Sequence, residues 1–291
     1  MYKGSFVALV TPFDKNGQID FNKIEELVQF HIDNGTDGLV PVGTTGESPT
    51  LNHDENIDVI ECVAKAAAGK LPVIAGAGSN STEEAVSLAS RAKSVGADAT
   101  LQVCPYYNKP TQEGLYAHFK AVAEKVDLPV VLYNIPGRCG GNGLAAQTVA
   151  DLYELDNIVA IKEATGSLDM ASNVASICDI TILSGDDSLT VPLASVGAKG
   201  VISVVANFVP KDVKALTDAL LANDFETARQ LHFKLFGLCK SMLTMATNPI
   251  PVKEAMAMLG MIENDMRLPM TNLNDDQRNC LRAILADYGL L

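Results

Sequence analysis

The stretch Ile158-Val159-Ala160-Ile161-Lys162-Glu163-Ala164-Thr165-Gly166 runs four apolar residues, three of them β-branched, straight into a lysine and a glycine-bearing turn. Such a run reads as a strand buried on both faces, as in a parallel sheet. A lysine at the end of that strand is unusual chemistry. Free lysine titrates near ~10.4, so at neutral pH only a few amines in roughly ten thousand are uncharged. Burial among Ile, Val and Ala disfavours the ammonium. A downward shift of about three units costs roughly 4 kcal/mol, a large share of the ~5–15 kcal/mol that holds a domain together. That cost makes sense where an amine nucleophile is wanted, as in Schiff-base chemistry on a carbonyl. The competing reading is that Lys162 snorkels to solvent or pairs with Glu163. Adjacent strand residues point to opposite faces, which weighs against the pair. The stretch alone leaves the two readings about even.

Outward from it, short apolar runs recur with amphipathic helical stretches between them, the signature of a parallel βα sheet. Strands are expected at 6–10, 38–42, 72–75, 99–103, 129–133, 158–162, 181–184 and 200–203. Helices are expected at 21–34, 113–126 and 168–177, among others. Eight strand–helix units close a (β/α)8 barrel, and a repeat ending near residue 222 has the length of one. The expected division is therefore a catalytic barrel over 1–222 and a small helical domain over 223–291. The latter has helices at 225–245, 251–259 and 275–286 and is too short for much of a core of its own. It should pack on the barrel or on a neighbouring subunit.

Bulk properties narrow the function. The 291 residues are 47% apolar and 20% charged, which suits a globular protein with a large core. A net charge of -13 argues against nucleic acid and anionic membrane as partners, and means that an anionic substrate must meet local positive groups. The six cysteines form no CxxC and the four histidines show no ligand spacing, so a cytoplasmic protein without a metal is expected. The N-terminal run is too short for a signal peptide, and no apolar run approaches a membrane span.

In a parallel barrel the active site lies at the carboxyl ends of the strands. The polar residues expected there are Thr44, Thr45, Tyr106, Tyr107, Tyr133, Arg138, Lys162, Asp186 and Ser203. Gly43-Thr44-Thr45-Gly46 reads either as a plain tight turn or as hydroxyls and amides that bind a small carboxylate. Tyr133 is either core or, beside an imine-forming lysine, a proton-transfer group. Tyr106-Tyr107 suits an interface patch. Arg138 is a solvated loop residue or a bidentate carboxylate clamp. Asp186-Asp187 suggests a metal, but with no third ligand nearby helix capping is the better reading.

Gly43-Thr44-Thr45-Gly46-Glu47, Pro105-Tyr106-Tyr107-Asn108, Tyr133-Asn134-Ile135-Pro136-Gly137-Arg138 and Ile161-Lys162-Glu163-Ala164-Thr165-Gly166 together resemble the dihydrodipicolinate synthase family. The resemblance runs on through Asn248-Pro249-Ile250-Pro251-Val252-Lys253 and Leu268-Pro269-Met270. It implies condensation of pyruvate with L-aspartate 4-semialdehyde, the committed step towards diaminopimelate and lysine. It implies that Lys162 forms the Schiff base and that Tyr133 exchanges protons, linked through Thr44 to Tyr107 of a neighbouring subunit. A homo-oligomer, at least a dimer and usually a tetramer, follows from that last residue. Thr45 would hold the pyruvate carboxylate, Ile202 would line the pocket with its backbone, and Arg138 would bind the carboxylate of the aldehyde. No cofactor is implied beyond the covalent imine.

The resemblance also implies an L-lysine effector site at Ser48, His53, Asn80, Glu84 and Tyr106. Pro49 and Asn56 depart there from the commoner alanine and histidine, and Cys139 with Gly141-Asn142-Gly143 departs from the usual loop after the arginine. The nearest rival is a sister aldolase, an N-acetylneuraminate lyase or a 2-keto-3-deoxy sugar acid aldolase. Arg138 with Tyr106-Tyr107 suits a short anionic aldehyde better than a polyol. A silent barrel acting as a binding protein is a rival of another kind, opposed by the full set of Lys162, Tyr133, Thr44, Tyr107 and Arg138.

Overall fold

The strand that carries Lys162, β6 (Ile158–Glu163), pairs in parallel with β5 (Val130–Asn134) on one side and β7 (Thr181–Ser184) on the other. A computed structural model describes residues 2–291. In it β1 (Gly4–Ala8), β2 (Gly38–Val40), β3 (Ile74–Gly76), β4 (Ala99–Val103) and β8 (Gly200–Ser203) complete an eight-stranded sheet of order β2-β1-β8-β7-β6-β5-β4-β3. The two end strands meet through a parallel bridge between Leu39 and Val73, with Leu39 N donating to Pro72 O at 2.9 Å and Gly76 N to Pro41 O at 2.9 Å. The sheet is thus a nearly closed barrel.

Helices α1 (Phe21–Asp33), α2 (His53–Ala67), α3 (Thr82–Ser94), α4 (Gln112–Lys125), α5 (Ala146–Tyr153), α6 (Leu168–Ile177), α7 (Thr190–Ser195) and α8 (Pro210–Leu221) follow the eight strands in turn. Their starts are fixed by side chains. Asn52 caps α2 in a reciprocal box with Glu55, and Ser81, Thr111 and Ser167 cap α3, α4 and α6. Residues 223–291 add α9 (Phe225–Thr244), α10 (Ile250–Met258) and α11 (Asp275–Tyr288). Leu238 and Met242 of α9, Met256 of α10 and Leu281 of α11 are buried in one apolar cluster with Val205, Phe208 and Val213 of the barrel.

The period-2 alternation of the strands sorts their side chains into two cores. Phe6, Ala8, Val40, Ile74, Leu101, Val131, Ala160, Leu183 and Ile202 fill the ring, whereas Val7, Leu9, Leu39, Leu132, Ile161, Ile182 and Val201 pack outward against the helices. On β6 the parity of Ala160 carries Lys162 inward. The parity of Ile161 carries Glu163 to the helix side.

The expected elements are present with small shifts at their ends. β1 begins at Gly4 rather than residue 6, because Gly4 and Ser5 find partners in Gly200 and Val201. β2 stops at Val40, because Pro41 has no N–H and Val42 turns to a φ of 56°. The helices after β5 and β7 carry too few residues for a clear period in the sequence, eight and six respectively.

Candidate active site

Gly43 to Glu47 form a turn at the carboxyl end of β2. Glu47 N donates to Thr44 O at 3.2 Å, Ser48 N donates to Gly43 O at 3.3 Å, and Thr11 Oγ1 donates to Gly46 O at 2.7 Å. Its backbone is strained. Val42 and Glu47 both have φ of 56°, a region that costs a β-branched residue most. Strain of that kind persists only where the surroundings impose it. At Glu47 the holding groups come from the C-terminal segment. Lys253 Nζ, fully buried, sits 2.6 Å from Glu47 Oε1 and also donates to Thr11 O and Asp265 O. Burial pushes the Lys253 ammonium down from its usual value, and Glu47 opposes that push. Lys253 Nζ and Arg267 Cζ lie 4.4 and 4.7 Å from the centre of the Phe13 ring, and Arg267 grips Glu55 through both terminal nitrogens.

One residue further out, Asn248 Nδ2 donates to Thr45 Oγ1 at 3.0 Å, and Arg138 Nη2 donates to the Asn248 carbonyl at 3.3 Å. Thr45 is buried, and Thr44 lines a cavity of about 440 Å³.

Lys162 and Tyr133 are register partners on β6 and β5. The amine lies 4.2 Å from the centre of the tyrosine ring, and both residues are at least nine-tenths buried. Tyr133 forms part of the cavity wall together with Thr44, Arg138 and Cys139. Lys162 does not pair with Glu163. The Glu163 carboxylate instead accepts from Thr165 N at 2.7 Å and Asn134 Nδ2 at 3.4 Å, and burial raises its pKa. Ile202 lies in the ring interior with Tyr133. A buried amine beside a phenol that lines a cavity together with a hydroxyl and a guanidinium is equipped to attack a carbonyl of a carboxylate-bearing substrate.

The far wall of the same cavity is lined by Ser48, His53, Glu84 and Tyr106. Ser79 Oγ donates to Glu84 Oε2 at 2.7 Å and fixes that carboxylate. Asn56 also lines it and is buried, its Oδ1 without a partner among the described residues. Asn80 is not in the wall; its carbonyl accepts from Asn108 Nδ2 at 2.8 Å. Tyr107 is not in the wall either. It is 90% exposed, with φ of 71°.

Asp186 caps the turn after β7, accepting from Ser188 N at 2.8 Å, as its capping reading requires. Asp187 does something else. Fully buried, it accepts from Val204 N and Val205 N beyond β8, and burial lifts its pKa to about 6.

Sequence reasoning attached no role to Asn248, Glu47 or Lys253. A signal existed for the last: a lysine and a glutamate inside the otherwise apolar helix 250–258.

The sequence matches the dihydrodipicolinate synthetase family over residues 1–288. It is 54% identical over 293 residues to the 4-hydroxy-tetrahydrodipicolinate synthase of Geotalea uraniireducens (strain Rf4), with both chains covered in full. The crystal structure of dihydrodipicolinate synthase from Aquifex aeolicus is similar with a TM-score of 0.97 at 50% identity, over 99% of each chain. Dihydrodipicolinate synthase from Cyanidioschyzon merolae, solved with lysine bound, is similar with a TM-score of 0.96 at 40% identity, over 100% of this chain and 99% of that one. These likenesses favour the synthase over the sugar acid aldolase. With a buried strand-end lysine, a full-length family match and relatives above half identity, the chain belongs to the dihydrodipicolinate synthetase family, lyases of the Schiff-base aldolase class.

Proposed function

We propose that the chain condenses pyruvate with L-aspartate 4-semialdehyde through an imine on Lys162. The observation that carries this is the placing of the Lys162 amine against the ring of Tyr133, its register partner, which lines a cavity together with Thr44 and Arg138. The neutral amine adds to C2 of pyruvate, and the carbinolamine loses water to give the imine. The imine nitrogen draws electrons from C3, which gives up a proton and becomes an enamine carbon. That carbon attacks the aldehyde and forms the new carbon–carbon bond. Tyr133 takes and returns the protons of these steps.

Thr45 holds the pyruvate carboxylate, and the backbone at Ile202 lines its pocket. Arg138 clamps the carboxylate of the aldehyde substrate. Thr44 links Tyr133 to Tyr107 of a neighbouring copy. The outward, left-handed Tyr107 supports that reading, because a side chain so exposed has its work outside its own subunit. The active unit is then a homo-oligomer, at least a dimer. The reaction so written needs no metal or organic cofactor.

L-lysine is the proposed effector, held by Ser48, His53, Asn80, Glu84 and Tyr106. A lysine-bound relative supports this, as does the fixed Glu84 carboxylate, which suits an ammonium. Activity unchanged at millimolar L-lysine would remove the effector and leave the catalytic reading intact. The catalytic reading is tested by reduction with borohydride in the presence of pyruvate, followed by peptide mapping. The reduced adduct is expected on Lys162, and its absence there would sink the proposal.

A further inference from the structure

Thr45 carries a hydroxyl, which has one hydrogen to donate and two lone pairs to accept with. In the structure it accepts from Asn248 Nδ2 at 3.0 Å. Both side chains are buried, so bulk water does not compete for either. A hydroxyl that is already accepting a hydrogen bond keeps its own hydrogen for another partner. Had the carboxamide presented its oxygen instead, the Thr45 hydrogen would turn back to it and be lost to a ligand. Asn248 Oδ1 is buried without a partner among the described residues. An orphaned acceptor is unfavourable by itself, so the position of this side chain is set by what its nitrogen does.

We infer that Asn248 is a positioning residue that fixes the direction of the Thr45 hydroxyl, leaving its hydrogen free for the pyruvate carboxylate. The inference rests on the reading of Thr45 given above. It explains why a loop from the C-terminal helices reaches into the barrel mouth at this point. The backbone of Asn248 is held in turn by Arg138 Nη2, and α10 is held by Lys253 against Glu47. The carboxamide therefore meets Thr45 from a fixed direction.

The test separates direction from packing. Asn248→Asp keeps the shape but can only accept, so Thr45 turns its hydrogen away from the substrate. Asn248→Ala removes the donor and leaves a void, but leaves the hydroxyl free to rotate. A merely structural role ranks alanine as worse than aspartate. The inferred role ranks aspartate as worse: KM for pyruvate should rise about tenfold or more in Asn248→Asp and only about threefold in Asn248→Ala, with kcat at saturation moved less. The concentration of pyruvate that half-saturates borohydride trapping at Lys162 should follow the same order. Equal values, or alanine worse than aspartate, overturn the inference.

The new charge of aspartate could repel the carboxylate by itself, so the pair is repeated in Thr45→Val. The excess of aspartate over alanine should shrink there to less than half, and its persistence in full overturns the inference. If Asn248→Asp does not fold, the alanine cycle decides. Asn248→Ala should add nothing to the pyruvate KM of Thr45→Val, and an independent effect counts against the coupling. A Thr45→Val enzyme with unaltered pyruvate KM would instead refute the assignment of Thr45, a different failure from that of Asn248.

Discussion

Lys253 and Glu47 stand 206 residues apart in the chain and 2.6 Å apart in the fold, both with side chains sealed from solvent. The pair joins the tail helices to a turn whose backbone is strained at two residues. Removing one member strands a buried charge, which typically costs about 3–5 kcal/mol. Lys253→Met is therefore expected to lower the denaturation midpoint markedly. Lys253→Met with Glu47→Leu, which removes both charges, should recover a substantial part of the loss. Urea titration of the three variants checks this. A single variant as stable as the parent would show that the pair does not hold the turn.

Lys162→Ala should lose the pyruvate adduct entirely and lower kcat by roughly 10³-fold or more, the scale seen when a nucleophile is removed. Lys162→Arg should do the same, because the guanidinium stays protonated. Intact-mass measurement after borohydride reduction reads the first effect, and a coupled turnover assay the second.

Tyr133→Phe keeps the ring beside the amine and removes only the hydroxyl. Loss of a proton-transfer group is worth about 10²–10⁴ in rate. The imine should still form, more slowly, so trapping at long times is retained while turnover is not. Retained turnover would assign the proton to another group.

Tyr107 is open to a test by mixing. Lys162→Ala and Tyr107→Phe are each expected to be nearly inactive alone. If Tyr107 works in the neighbour's site, one site of each mixed pair carries both native groups. Unfolding and refolding an equal mixture should then restore about a quarter of the parental activity, given random pairing of two-fold related subunits. No recovery would place Tyr107 in the site of its own subunit, and a fully active Tyr107→Phe would place it outside catalysis.

Acid should destabilise the fold through two histidines. His31 Nδ1 is bonded to Thr36 and His118 Nδ1 to Thr82, both at 2.9 Å, and the Nε2 of each is buried without a partner among the described residues. Burial holds their pKa values down to about 3 and about 4. The unfolded chain binds these protons from about pH 6.5 and the folded chain does not, so stability falls as the pH drops below 6.5. At pH 5 each histidine withdraws about 2 kcal/mol. Asp187 works the other way. Its carboxyl is raised to about 6, and protonating it in the folded state relieves a burial penalty that offsets part of the loss. Urea midpoints at pH 7 and pH 5 should differ in favour of pH 7, and His118→Phe should narrow the gap.

Much of this was legible in the residues. The strand at Ile158–Glu163 announced itself by composition, and eight such runs, with the helices between them, made a barrel the natural solution. The inward parity of Lys162 follows from a period of two. What stayed hidden depended on contacts between distant parts of the chain. Asn248 is 203 residues from Thr45, and nothing local marks either as the other's partner. The short helices after β5 and β7 lack the length for a period. Tyr107 is legible only by resemblance, since its partner lies in another copy of the chain.

The seam between β2 and β3 depends on Gly76, where an added Cβ would lie 2.0 Å from the carbonyl oxygen of Val42 and 2.9 Å from the nitrogen of Gly43. Those are backbone atoms and cannot swing aside as a rotamer can. The position next to the Thr44 turn thus admits a single residue type. At this point of the cavity wall the backbone itself is the lining, so a change of substrate range has to come from other wall positions.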